Sequence, residues 1–169
     1  MFITIVRHFY NLLNFLLPPS RCFAFRRVIL RLGGVTIAPT CRLCGRGWIY
    51  GRGRVILGAE TWISPGFTIY TNPNASVVIG ERCDIGPDVT LLTGTHDIGN
   101  HSRRAGAERS SNVEIENGCW IGARAMLLPG VKIGKGSVVA AGAVVTSDVA
   151  VDSLTAGAPS VLKRILKDE

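Results

Sequence analysis

The stretch Ile115–Val151, IENGCWIGARAMLLPGVKIGKGSVVAAGAVVTSDVAV, decides the fold. Counted in sixes from Ile115, the first position is filled by Ile121, Leu127, Ile133, Val139, Val145 and Val151. Helical spacing would recur at about 3.6 residues and a half-buried strand at 2; a repeat of six is the mark of a β-solenoid. The residue after the aliphatic one is small at Gly122, Gly134, Ala140 and Thr146, which lets the chain turn a tight corner. Working outward, the same phase appears upstream at Ile79, Ile85 and Leu91, and, before four extra residues, at Leu57, Ile63 and Ile69. Three faces of six residues make a coil of about eighteen, and coils this thin must stack to bury a core. The expected class is therefore an all-β solenoid. Ile37, Leu43, Ile49 and Val55 keep a beat of six as well, two residues out of phase with the rest.

The 169 residues suit one domain. Residues 1–34 read as an apolar and basic helical segment, 35–155 as the solenoid with an irregular lead-in over 35–54, and 156–169 as a tail whose Val161–Lys167 forms a short basic helix. Two excursions leave the coil: Tyr70–Ser76, and a long loop over 97–112 that is rich in Arg, Ser and Gly. A loop of that length in a compact repeat is usually functional or mobile. The five cysteines have no framework spacing and read as free thiols of a reducing, cytoplasmic compartment. Cys83 and Cys119 share one place in their hexads, as small buried hydrophobes would. Cys41 and Cys44 have a zinc-like spacing but no second pair to complete four ligands, so no metal site is expected.

The net charge of +7 is unevenly spread. Residues 1–59 hold nine arginines and no Asp or Glu; the remainder, with ten basic and twelve acidic residues, is close to neutral. No nucleic-acid motif accompanies the arginines, so nucleic acid is not the expected partner. Phe2–Leu17 is an apolar helix ended by Pro18-Pro19, shorter than the ~20 residues that span a bilayer and without the basic lead and cleavage site of a signal peptide. A second apolar stretch, Cys22–Leu32, carries arginines along its length. Two compatible roles fit: a cap on the open end of the solenoid, and peripheral contact with a membrane surface.

His96 stands where the chain leaves its coil, held by a strand on one side and covered by a loop on the other. A neutral imidazole there can take a proton from an attacking hydroxyl; position alone fits a surface histidine equally well.

The set Val77-Val78-Ile79-Gly80, Thr93-Gly94-Thr95-His96-Asp97, Asn117-Gly118-Cys119-Trp120-Ile121-Gly122, Leu128-Pro129-Gly130 and Ala156-Gly157-Ala158-Pro159 resembles the hexapeptide-repeat acyltransferases, the superfamily of galactoside, maltose and serine acetyltransferases. The match covers about two thirds of the chain. It implies a left-handed parallel β-helix, a sense that the general preference for right-handed crossovers would not supply. It also implies a homotrimer with acetyl-CoA in a groove between neighbouring solenoids and direct attack of the acceptor on the thioester. By position it makes His96 the general base, with Asp97, Thr68 and Trp120 as support or acceptor contacts. Gly122, Ala140 and Ala141 fall where the pantetheine arm would run, and Pro159, Lys163 and Arg164 where the cofactor's far end would lie. The implied acceptor is a small-molecule or lipid-linked sugar of cell-surface polysaccharide biosynthesis, bearing a hydroxyl or an amine. In sugar acetyltransferases an Asn often supports the acceptor where this chain has Thr68, and the closing Asn-Pro is Ala158-Pro159. Two other readings share the solenoid. A non-enzymatic scaffold would leave His96 and the long loop without purpose. A zinc hydratase like the γ-class carbonic anhydrases would need three imidazoles around one metal, and only His8, His96 and His101 exist.

Overall fold

A computed structural model describes residues 2–167. Helices α1 (Phe2–Leu16) and α2 (Phe23–Leu32) lead into a parallel solenoid of about six turns, a left-handed β-helix. Each of the first five turns contributes one short strand to each of three faces. The first holds β1 (Val35–Ile37), β2 (Arg42–Leu43) and β3 (Trp48–Gly51), and the second β4 (Arg54–Leu57), β5 (Trp62–Ile63) and β6 (Thr68–Thr71). The third holds β7 (Ser76–Ile79), β8 (Asp84–Ile85) and β9 (Thr90–Leu92), followed by a hairpin of β10 (Gly94–Ile98) and β11 (Ala105–Ser110). The fourth and fifth hold β12 (Val113–Ile115), β13 (Trp120–Ile121), β14 (Met126–Leu127), β15 (Lys132–Ile133), β16 (Val138–Val139) and β17 (Val144–Val145). The last supplies β18 (Ser153–Ala156), against which β19 (Val161–Ile165) turns back antiparallel. Face A runs β1-β4-β7-β12-β15, face B runs β2-β5-β8-β13-β16-β18-β19, and face C runs β3-β6-β9-β14-β17.

The aliphatic beat builds the core. Ile37 stacks on Leu57, Leu57 on Ile79, Ile79 on Ile115 and Ile115 on Ile133, with equivalent columns on faces B and C. These side chains are buried, each contributing about 1.5–3 kcal/mol of transfer free energy. Between coils the backbone bonds directly, as in Gly86 N to Ile121 O (2.8 Å) and Gly122 N to Val139 O (2.7 Å). A Cβ at Gly122 would collide with the backbone of Ala140 and Ala141, so the small residue there is a requirement of coil spacing.

The lead-in over 35–54 is a full coil. Its beat is out of phase because two extra residues, absorbed at Gly51–Gly53, separate Ile49 on face C from Leu57 on face A. Every change of coil length falls at this same C-to-A corner. Four extra residues lie between Ile69 and Ile79, eighteen between Leu91 and Ile115, and two are missing between Val145 and Val149. The A-to-B and B-to-C corners keep six residues throughout. The last shortening corrects the reading of Val151: Val149 pairs with Ile133 and is buried, whereas Val151 is 56% exposed. The loop expected over 97–112 is mostly the β10–β11 hairpin.

The expected helix over Val161–Lys167 is not formed. Val161–Ile165 is strand β19, because the free edge of β18 offers backbone partners that a short isolated helix could not match. The last two residues of the tail, 168–169, lie outside those described.

α1 and α2 close the other end: Tyr10, Ile29 and Leu30 join the core, and polar side chains bond the open strand edges. Asn11 donates to Ile49 O (3.1 Å) and accepts from Ile49 N (3.0 Å), taking the place of a missing strand beside β3. Arg7 donates to the carbonyls of Gly33, Gly51 and Gly53 and is only 3% exposed. Asn14 donates to Gly47 O and receives Arg26 Nε at 2.8 Å. Arg31 bonds Ile37 O at the edge of β1, and Arg27 bonds Cys41 O. Open strand edges need backbone partners, and these side chains supply them.

Candidate functional site

The C-to-A corner of the third coil carries His96. Its strand β10 pairs with β11 so that His96 lies opposite Glu108 and Thr95 opposite Arg109. Residues directly opposite share a face of the ribbon, which sets His96 and Glu108 on one side. His96 Nδ1 lies 3.1 Å from Gly106 O. A carbonyl can only accept, so Nδ1 carries the proton, and in the neutral imidazole Nε2 keeps a free lone pair. Glu108 is fixed from the solenoid: Asn72 Nδ2 donates to its Oε1 at 2.5 Å. Asn72 is itself held by Thr93, whose Oγ1 accepts from Asn72 N at 2.9 Å and donates to Asn72 Oδ1 at 3.1 Å. Tyr70, Asn72, Leu92, Gly94, His96 and Glu108 line a concavity of about 360 Å³. This arrangement can hold a small polar molecule and take one proton from it.

Asp97 does not support the imidazole. It points to the other face and pairs with Arg109 at 2.8 Å, as strand alternation requires of a sequence neighbour. Thr68 lies on the outer side of face C between Trp48 and Thr90 and does not line the concavity; Tyr70, two residues on, does. The Tyr70 ring stacks on Tyr50 at 4.7 Å, and Tyr50 on Trp48 at 5.6 Å. Sequence reasoning missed Glu108, whose only signal would have been the pairing of a hairpin polar on both sides.

A second concavity, about 480 Å³ and largely apolar, lies on the outer side of face B at the B-to-C corner. It brings together Trp120, Gly122, Ala140 and Ala141, with Gly86 and Leu154. Trp120 is 59% exposed, an aromatic wall with an open face. The strict six-residue spacing is what lines up the small corner residues of successive coils. Arg164 pairs across β19–β18 with Leu154 and so stands beside this groove, while Lys163 sits in the bulge next to it. Pro159 is exposed in the turn between those strands and does not line the groove.

Cys41 and Cys44 are buried, and burial pushes the Cys41 thiol up to about 12. Cys83 and Cys119 are buried in one column with Thr61, Ser137 and Ser153. Thr61 Oγ1 accepts from Cys83 N, and Ser137 Oγ from Ser153 N. Among the described residues no three His, Cys, Asp or Glu side chains gather as a metal site would need.

Comparison with known proteins bears on these two concavities. The family model "Bacterial transferase hexapeptide (six repeats)" matches residues 112–147. The galactoside O-acetyltransferase of Lactococcus lactis is 38% identical over 109 residues, covering 61% of this chain and 53% of that protein. That of Escherichia coli is 32% identical over 130 residues, covering 66% and 64%. The chain thus spans between half and two thirds of the length of these relatives. A hexapeptide-repeat acetyltransferase from Vibrio cholerae, solved with acetyl coenzyme A, superposes with a TM-score of 0.73 at 28% identity, over 97% of this chain and 88% of that one.

Proposed function

We propose that this chain, which belongs to the hexapeptide-repeat acyltransferase superfamily, transfers acetyl from acetyl-CoA to a hydroxyl of a sugar. The observation that carries the reading is the His96 imidazole. Its Nδ1 proton is committed to Gly106 O, and its Nε2 is left free on a concavity beside a carboxylate. The acceptor hydroxyl gives its proton to Nε2 as its oxygen attacks the thioester carbonyl. The tetrahedral adduct then expels the thiolate of CoA, which recovers the proton from the imidazolium. Glu108, opposite His96, offsets the transient positive charge, and Asn72 keeps that carboxylate in place. An amine acceptor would use the same base.

The apolar groove of Trp120, Gly122, Ala140 and Ala141 suits the pantetheine arm, because small corner residues allow close approach to the backbone. Arg164 and Lys163 on β19 supply cations for the cofactor phosphates. The two concavities adjoin opposite edges of face C, one at the B-to-C corner and one at the C-to-A corner. A reaction that joins their contents calls for a neighbouring chain to bring one against the other, which favours a homotrimer. The His96 concavity, with the Tyr70 ring and Leu92 beside Asn72 and Glu108, suits a glycan precursor, free or lipid-linked, handled on the cytoplasmic side during polysaccharide assembly.

The test is thermal unfolding with acetyl-CoA, followed by CoA release with a panel of sugars, for the wild type and His96→Ala. At ~100 times its Kd the cofactor adds about 2.7 kcal/mol to the folded state, and both proteins should show that shift. The variant should turn over at least ~10²-fold more slowly. No shift at millimolar cofactor, or near-normal turnover by the variant, would overturn the reading.

A further inference from the structure

The first capping helix is mounted inside out. In α1 the residues that face the solenoid are Arg7, Tyr10, Asn11 and Asn14, spaced i, i+3, i+4, i+7. The opposite side carries Phe2, Ile5, Phe9, Leu12 and Leu16, spaced i, i+3, i+7, i+10, i+14, a continuous apolar stripe. Phe9 is 56% exposed, Leu12 53% and Leu16 83%. α2 is mixed: Ile29 and Leu30 are buried in the core beside Arg26, while Phe25, Val28 and Leu32 are exposed at i, i+3, i+7 as a second outward apolar row. The cause lies in the fold. The bare edges of β1 and β3 demand hydrogen bonds, the polar stripe supplies them, and the apolar stripe is thereby turned outward. This orientation is locked by seven hydrogen bonds between the side chains of Arg7, Asn11, Asn14 and Arg31 and the solenoid with its lead-in.

The structure assigns this surface to docking on an anionic phospholipid bilayer. Charge decides between occupants. The first 59 residues carry nine arginines and no acid. Of these, Arg21, Arg31, Arg42, Arg46, Arg52 and Arg54 are exposed on the cap, the first coil, its corner and the start of the second coil. A second copy joined cap to cap would set two such ends together. Anionic headgroups complement them, and apolar side chains enter the acyl boundary between. α1 is about 23 Å long at ~1.5 Å per residue, and no described helix is long and apolar enough to cross. It lies in the interface plane. The inference is independent of the transferase reading.

The experiment is co-sedimentation of the full chain with vesicles of phosphatidylcholine alone, and with vesicles in which half is replaced by phosphatidylglycerol. Binding to the anionic vesicles should exceed that to the neutral ones by at least ~10-fold and fall at high salt. The double variant F9Q/L12Q, whose side chains bond nothing in the fold, should lose that binding by a similar factor and keep the wild-type melting temperature. I5Q/L16Q provides the same reading should the first pair fold poorly. Three results would overturn the proposal: no sedimentation of the wild type, undiminished binding by both variants, or, without lipid, a fall in oligomeric state in the variants that marks the stripe as a contact between copies.

Discussion

Asn11→Ala removes the side chain that stands in for a strand at the open end. Its carboxamide satisfies both backbone groups of Ile49, the N–H at 3.0 Å and the C=O at 3.1 Å. Both residues are buried, so water does not reach the vacated positions without local opening. Leaving a buried donor or acceptor unpaired costs about 1–3 kcal/mol each, so the pair costs about 3 kcal/mol once partial relaxation is allowed for. At ~2.1 cal/mol/K per residue, a chain of this length has an unfolding entropy near 0.35 kcal/mol/K, and the melting temperature should fall by ~8 °C. The neighbouring Leu12→Ala, on the exposed side, should shift it by no more than ~1–2 °C. Thermal melts followed by circular dichroism give the comparison. Amide exchange gives a second check, because in a solenoid the damage should concentrate in β3 and its neighbours. If Asn11→Ala melts within about 2 °C of the wild type, the argument that α1 is held by its polar face fails.

Ala141→Phe places a ring in the apolar groove at an exposed position, so it should leave the fold intact and abolish the stabilisation by acetyl-CoA in thermal melts; an undiminished shift would move the cofactor elsewhere. Native thiol titration at pH 8 should find one reactive cysteine, Cys22, and five after denaturation, since the other four are buried; burial also pushes the Cys41 thiol up to about 12, whereas Cys83, which its hydrogen bond with Cys119 lowers to about 7, is silenced by inaccessibility alone. More than one rapid thiol in the native protein would contradict the packed corners.

Much of this architecture could be read before the structure because one recurring position of each hexad points inward and is filled by an aliphatic side chain in every coil up to Thr155 in the last. Where the reading slipped, the physics is identifiable. Val151 looks in phase because losing two residues at a corner preserves the strand's alternation, so Val149 and Val151 are equally plausible until the stacking partner is known. Val161–Ile165 has apolar residues at both helical and strand spacings, and the free edge of β18 chose between them. The orientation of α1 was hidden for a deeper reason. An amphipathic pattern reports two faces, not which one is turned in, and the inward face here was selected by unpaired strand edges instead of by hydrophobicity. His96 and the Trp120–Gly122–Ala140 groove were visible as residues at fixed places in the repeat. Glu108 was not, because a solvent-exposed hairpin leaves no hydrophobic alternation from which a pairing register can be inferred.

The confinement of every length change to the C-to-A corner gives the molecule one edge on which sequence can grow while the stack stays in register. Extending a loop there requires only closure entropy, about 0.6 kcal/mol for each doubling in length, and no side chain of the core changes sides. The B-to-C corner has no such freedom, because its small residues stack backbone on backbone, Gly86 on Gly122 and Gly122 on Ala140, and an added residue would break that contact. Under the proposed chemistry the acceptor is met at the extensible edge and the cofactor at the frozen one. Exchange of residues 93–112 between relatives should therefore redirect what is acetylated while the donor stays the same, which makes the hairpin a natural cassette for building transferases of new selectivity.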